Sequence, residues 1–170
     1  MAKAPRDCPC FSGERYAACC APLHRGDRAA ETPAALMRSR FAAFALGLGA
    51  YLVDTLAREH PDLAEPREAL TRELSRVRER QRFLGLQVVF TSEEGDEGEV
   101  LFFARIFEKG VDRSFAELSR FVREGGAWRY ASGVLSPTAD LPEDLRSPPK
   151  DPGSTFGLRT RDRLLGSRQP

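Results

Sequence analysis

The four cysteines of this 170-residue chain all fall between residues 8 and 20, in the segment CPCFSGERYAACC. Cys8 and Cys10 form one pair, Cys19 and Cys20 form a second, and eight residues separate the two pairs. The segment is polar and rich in turn-forming residues, so it has no apolar pattern from which to build a core. Its fold therefore depends on what the thiols bind.

Disulfide bonding and metal binding are the two chemistries open to such a cluster. A bridge between adjacent cysteines would close a strained ring, because bridged residues usually have Cα atoms farther apart than neighbours do. Bridges across the pairs would need an oxidising compartment. The segment MAKAPRD lacks the apolar run of a secretory signal, and no stretch approaches a membrane span, which predicts a cytoplasmic protein. Metal binding is therefore favoured.

Zinc is the metal expected at the four cysteines, because it prefers thiolate and imidazole ligands in a tetrahedron. Pro9 stiffens the first pair, Ser12 and Gly13 suit a turn with a positive φ, and ERYAACC suits a helical turn. An iron site, an empty redox dithiol and replacement of one thiol by His24 are the alternatives. Four protein ligands leave no open position, so the sequence predicts a structural zinc.

The composition indicates a soluble globular protein with one domain-sized core, since 41% of the residues are hydrophobic and 30% are charged. The net charge of +1 gives no general reason to expect a nucleic acid or a membrane as partner.

Three helices followed by four strands are predicted after residue 31. Thr32 and Pro33 form an N-cap and first-turn signal, and the apolar residues that follow recur at helical spacing up to the GLG at 47–49. A second helix is predicted over about 50–58, and a third, with a densely charged face, begins at Pro66. The predicted strands lie at about 83–91, 99–108, 113–123 and 127–134. This order predicts an α+β fold with an antiparallel sheet.

The strand patterns predict a sheet that is covered on both faces. In the second strand both alternating sets of residues are mainly apolar, so one face can pack on the helices. The other face needs a second cover, from a cone interior, a dimer partner or the zinc segment. In the third strand Phe115, Glu117, Ser119 and Phe121 share a face, which places a carboxylate among phenylalanines.

Glu117 has two main interpretations. It can be a structural ion-pair partner, because a buried carboxylate must be paired or protonated. The candidate cations are Arg38, Arg40 and Arg105. It can instead be a general base of raised pKa in a small-molecule pocket. The residues that could assist it there are Tyr51, His60 and Trp128, although the polar surroundings of His60 predict an exposed loop residue.

The chain changes character at Ser136. From there proline, glycine and polar residues prevail without a periodic apolar pattern, which predicts an extended or disordered tail over 136–170.

The cysteine segment resembles the SEC-C zinc motif, which is best known from the C-terminal tail of the SecA translocation motor. The segments LHRGDRAAETPAALMRSRFAAFALGLGAYLVDTL and FAELSRFVREGGAWRYASG resemble the YchJ family of bacterial proteins. This resemblance implies a zinc knuckle followed by a cone-shaped α+β domain similar to nuclear transport factor 2, and it implies no reaction. The predicted domains are therefore 1–31 for the zinc knuckle and linker, 32–135 for the cone-shaped domain and 136–170 for the tail.

The chain departs from the SEC-C pattern because Arg15 is the one basic residue between its cysteine pairs. Contact with a ribosome or a nucleic acid is accordingly a weak expectation. The function predicted is that of a zinc-binding module for a protein partner or a ligand. The alternative is a small-molecule enzyme that uses a pocket around Glu117.

Overall fold

Five helices precede the sheet and one follows it in the computed structural model, which describes residues 3–166. The helices are α1 (Ala21–His24), α2 (Pro33–Leu46), α3 (Gly49–Asp54), α4 (Arg67–Ser75), α5 (Val77–Arg80) and α6 (Ser154–Gly166). The strands are β1 (Gln81–Glu94), β2 (Glu97–Glu108), β3 (Val111–Asp112), β4 (Phe115–Glu124) and β5 (Ala127–Pro137). None of the helices in this range is long and apolar enough to cross a lipid bilayer.

The longest helix, α2, begins and ends where the sequence predicts. The Thr32 hydroxyl oxygen accepts a hydrogen bond from the Ala35 N–H at 3.1 Å, and Pro33 occupies the first turn. Gly47, with a φ of 71°, ends the helix in the left-handed conformation. These local signals fix where α2 begins and ends along the chain.

The sheet is antiparallel in the order β1-β2-β4-β5, with the short β3 paired to the end of β2. Register shifts interrupt the β1–β2 pairing at two points and the β4–β5 pairing at one. Such bulges bend strands and increase their twist, so the sheet curves around the helices. The helices placed ahead of an antiparallel sheet confirm the predicted α+β class.

The inner face of the sheet packs against α2. One apolar cluster contains Leu36, Met37 and Phe41 from α2, and Val100, Phe102, Ile106, Phe121 and Trp128 from the strands. This face carries one of the two apolar sets of alternate residues in β2, which agrees with the prediction that one set packs on the helices. The helical layer and the curved sheet thereby enclose the interior of the cone.

The outer face of the sheet is covered by the segment that follows β5. Leu141, Leu145 and Leu164 are buried there against a cluster that includes Leu101 and Leu118 of the sheet. The prediction of a disordered tail is therefore wrong for the part of 136–170 that the structure describes, whereas 167–170 lie outside it. The tail is ordered because it buries apolar surface that the second face of β2 would otherwise expose.

Helix α6 lies very close to strand β1. A Cβ built on Gly157 would lie 2.4 Å from the Val89 carbonyl oxygen, so only a glycine permits this approach. The Arg161 Nε also donates to Glu99 Oε2 at 2.8 Å, which ties α6 to β2.

Candidate functional site

The first half of the cysteine segment is folded into a turn by backbone hydrogen bonds. The Cys8 N–H donates to the Glu14 carbonyl at 2.9 Å, and the Phe11 N–H donates to the Cys8 carbonyl at 3.1 Å. Gly13 takes the positive φ that the sequence predicts, at 85°. A 3₁₀ turn over Tyr16–Ala18 then leads into Cys19 and Cys20. The turn and the short helix aim all four thiols at one point.

The four sulfur atoms are arranged as a metal site requires. Their Sγ atoms all lie within 4.8 Å of one another, with Cys10 and Cys19 at 3.6 Å and Cys19 and Cys20 at 3.9 Å. A tetrahedral ion with metal–sulfur bonds of about 2.3 Å separates its sulfur ligands by about 3.8 Å. The four cysteines can therefore hold a metal ion.

The protein around the cluster supports this role. The Ser12 hydroxyl lies 3.2 Å from Cys19 Sγ, and Arg38 Nη1 donates to the Cys10 carbonyl at 3.0 Å. Hydrogen bonds from Cys20 and Cys8 lower the pKa of the Cys10 thiol below its usual value. Contact with Cys10 in turn raises the pKa of Cys8 and that of Cys20, so these three thiols titrate as one group.

His24 lies outside the cluster and joins the cysteine segment to α2. Its Nε2 donates to the Ser39 carbonyl at 2.8 Å, and its Nδ1 therefore accepts from the Tyr16 hydroxyl at 2.8 Å. Both ring nitrogens are engaged, so replacement of a thiol by His24 is not the arrangement present. Burial lowers the pKa of His24, which favours this neutral form.

A cavity of about 560 Å³ lies between α2 and the inner face of the sheet. Most of its wall is apolar. Six phenylalanines contribute to the wall, namely Phe41, Phe44, Phe83, Phe102, Phe115 and Phe121. The polar groups of the wall are Arg40, His60, Asp62, Gln81, Glu117, Ser119, Tyr130 and Ser132.

Glu117 lies in this cavity beside two hydroxyl groups. Ser119 Oγ donates to Glu117 Oε2 at 2.5 Å, and the Tyr130 hydroxyl lies near the carboxyl group, since both approach Gly133. Burial raises the pKa of Glu117, and the Ser119 bond, the charge of Arg40 and the nearby Tyr130 hydroxyl oppose this rise only in part.

The ion pair expected for Glu117 is not formed. Within residues 3–166, no guanidinium nitrogen of the three candidate arginines lies within 4.0 Å of its carboxylate. Arg38 bonds to the cysteine segment instead. Arg105 is exposed and lies against the Phe107 ring, with Cζ 5.8 Å from the ring centroid. The ion-pair interpretation of Glu117 is therefore wrong.

Some of the predicted pocket residues line this cavity, and others lie elsewhere. Those that line it are Arg40, His60, Glu117, Ser119 and Phe121. Tyr51 and Trp128 line a different cavity, of about 370 Å³, on the side of α1. The His60 side chain is only 11% exposed and its ring lies 5.7 Å from that of Tyr130, so the prediction of an exposed loop histidine is wrong.

Tyr130 is the main cavity residue that the sequence analysis missed. It pairs with Phe121 across the β4–β5 ladder, directly after a register shift, so it lies on the same face as Phe121. A strand pairing predicted from the sequence could have suggested which residue of β5 lies opposite Phe121. The register shift cannot be seen in the sequence, so a regular pairing would not have identified Tyr130.

Comparison with known families and curated proteins gives matches over most of the chain. The family described as "YchJ, middle NTF2-like domain" matches residues 32–133. The UPF0225 protein of Deinococcus radiodurans is 42% identical over 128 residues, which cover 74% of this chain and 86% of that protein.

Solved structures with SEC-C motifs are also similar. The solution structure of a SEC-C motif containing protein from Rhodopseudomonas palustris has a TM-score of 0.65 at 39% identity, covering 74% of this chain and 95% of that one. The crystal structure of a SEC-C motif containing protein from Psychrobacter arcticus has a TM-score of 0.61 at 22% identity, covering 92% of this chain and 95% of that one. The second likeness concerns the fold alone.

Proposed function

The chain belongs to the YchJ family, whose middle domain is NTF2-like, and we propose that it is a ligand-binding protein that carries a structural zinc. The observation that supports ligand binding is the cavity of about 560 Å³ inside the cone-shaped domain. Small-molecule sites typically have volumes of about 300–1,000 Å³ and apolar walls with a few convergent polar groups. The cone cavity has this size and this composition.

An apolar fluorescent probe tests the proposal. N-phenyl-1-naphthylamine is uncharged and brightens in apolar surroundings, so we expect the full chain to bind it with one site. Val77 is half-buried in the cavity wall, and Val77→Trp should fill part of the space and weaken binding at least tenfold. Leu84, which is 44% exposed and lies outside the cavity, supplies the matched control Leu84→Trp. Equal binding by the two variants, or no binding by the unmodified chain, would contradict ligand binding in the cone.

The zinc part of the proposal follows from the donor set. Four thiols at tetrahedral spacing suit zinc, and four protein ligands leave no open position for a substrate. When bound, the ion would hold Cys8, Cys10, Cys19 and Cys20 together and so replace the core that this segment lacks. Elemental analysis should find one zinc per chain and none after joint replacement of Cys19 and Cys20 by serine. Another metal, or zinc that persists in that variant, would overturn the assignment.

A small-molecule enzyme is the second candidate, and the state of Glu117 favours it. This carboxyl group lines the cavity with no cation within 4.0 Å among residues 3–166, and burial raises its pKa. A general base works best when its pKa lies near the working pH. A carbon-13 NMR titration, with Glu117→Gln identifying the resonance, should place its midpoint clearly above the ordinary glutamate value if Glu117 is such a base. A titration midpoint at the ordinary glutamate pKa would reject Glu117 as a general base and leave ligand binding as the proposed function.

A further inference from the structure

Arg40 is a buried cation whose orientation is fixed. Its Nη1 donates to the Leu52 carbonyl at 2.7 Å and to Thr55 Oγ1 at 2.5 Å. Its Cζ lies 4.8 Å from the centroid of the Tyr130 ring, so the guanidinium packs on that ring. The residue is only 8% exposed. These neighbours position the group without neutralising its charge.

The charge of Arg40 has no counter-ion in contact with it. Within the part of the chain that the structure describes, no Asp or Glu oxygen lies within 4.0 Å of the guanidinium. Glu117, whose charge acts on Arg40 from farther away, accepts a hydrogen bond from Ser119. Burial lowers the pKa of Arg40 to about 10, which still leaves it charged at neutral pH. A buried charge normally has a partner of opposite sign, so a partner from outside the chain is indicated.

Arg40 lines the cavity and keeps donors that the protein does not use. Its hydrogen bonds to described residues all use Nη1. Every fully enclosed polar side-chain atom in residues 3–166 has a hydrogen-bond partner. The Nε and Nη2 atoms of Arg40 are therefore accessible, and the space beside this residue is the cone cavity. Nε and Nη2 form the planar fork that binds a carboxylate through two parallel hydrogen bonds.

We propose that the cone cavity binds an organic carboxylate, with the carboxylate on Nε and Nη2 of Arg40 and an apolar, ring-containing body among the phenylalanines. This inference rests on the proposed ligand-binding function and names the class of ligand. Aromatic walls favour a ring, since ring pairs gain energy beyond that of the buried area. One guanidinium, with Glu117 in the same cavity, suits a single negative charge better than the double charge of a phosphate.

A matched pair of ligands tests the class. 2-Naphthoate and 2-naphthamide share one ring system and differ in the charge of the head group, and calorimetry can measure each of them directly. The full chain should bind the naphthoate at least tenfold more tightly than the amide, which corresponds to about 1.4 kcal/mol. Equal affinity for the two compounds would overturn the carboxylate assignment.

Three arginine variants test whether Arg40 provides the preference for the carboxylate. Arg40→Gln should reduce the preference for naphthoate over naphthamide to about twofold or less. The control is Arg105→Gln, which removes the same charge from an exposed arginine outside the cavity and should leave the preference unchanged. Arg40→Lys supplies a second variant that keeps the charge and loses the planar fork, and it should retain only part of the preference. Loss of the preference in Arg105→Gln would place the carboxylate on the surface and refute the proposal.

The outcomes separate the two proposals. Binding of N-phenyl-1-naphthylamine without a preference for naphthoate would leave ligand binding standing and reject the carboxylate class. Failure of the probe and of both naphthalene compounds to bind would reject ligand binding and the carboxylate class together.

Discussion

Replacement of Leu164 by alanine should detach helix α6 from the outer face of the sheet. Leu164 is 1% exposed and packs in the cluster formed with Leu101 and Leu118, whereas its neighbour Leu165 is 38% exposed. Truncation of a buried leucine to alanine typically costs about 2–5 kcal/mol, and a surface helix that can adjust should fall near 2 kcal/mol. Leu165→Ala should change stability by no more than about 0.5 kcal/mol. The two adjacent leucines therefore form a matched pair within one helix.

The loss should appear as local opening of α6, because the helix can leave the sheet while the inner core stays folded. Trypsin can cut α6 after Arg159, Arg161 and Arg163 once the helix opens. When opening is fast relative to cleavage, the cleavage rate follows the population of the open form, so about 2 kcal/mol gives a roughly thirtyfold faster cut. Mass spectrometry of native digests measures this rate, and Trp128 fluorescence checks that the inner core is intact.

Two results would refute this reasoning. Equal cleavage rates for Leu164→Ala and Leu165→Ala would show that burial of Leu164 does not hold the helix. Cleavage of α6 in the unmodified chain as fast as in an unfolded peptide would show that the tail is not docked in solution.

Two further predictions concern Glu117 and the metal. The folded-state pKa of Glu117 is raised, so its contribution to stability is fully present below the unfolded pKa and is lost as the pH rises through the folded value. At pH 8, Glu117→Gln should therefore be as stable as the unmodified chain or more stable, and at pH 5 it should lose that advantage. Urea unfolding of both proteins at the two pH values measures the difference. A variant that is destabilised most at pH 8 would instead indicate that Glu117 belongs to a charged pair. Removal of the proposed metal ion by a chelator should expose two amides to hydrogen exchange, that of Cys8, which donates to the Glu14 carbonyl, and that of Tyr16, which donates to the Arg6 carbonyl, and should leave the β4 amides protected. Loss of protection in β4 as well would mean that the cone has no stability of its own.

Local signals in the sequence predict much of the fold. The Thr32 cap, the start of α2 and the alternation that places Glu117, Ser119 and Phe121 on one face depend on neighbouring residues, and the structure shows each of them. The clustering of the four cysteines could be predicted for the same reason, since their spacing along the chain leaves few other arrangements.

Contacts between distant segments could not be predicted in this way. The surroundings of Glu117 depend on the β4–β5 register, and the shift beside Phe121 places Tyr130 opposite Phe121, in the cavity that Glu117 also lines. The order of the tail was not predicted because the residues that α6 buries are Gly157, Thr160 and Leu164. These three residues give no periodic apolar pattern that would distinguish the helix from a polar tail in the sequence. Its burial depends on the apolar outer face of β2, which no local pattern in the tail reveals.

The cover on the outer face of the sheet also decides where this protein can be shortened. The family match ends at residue 133, which would make a natural boundary for a minimal fragment. Such a fragment would expose Leu101, Phe103 and Leu118 together as one apolar surface, because Leu141, Leu145 and Leu164 would be missing. Contiguous apolar surface of this kind drives aggregation of otherwise folded proteins. The shortest fragment that stays soluble on expression should therefore include α6, even though the secondary structure of the family domain ends before it.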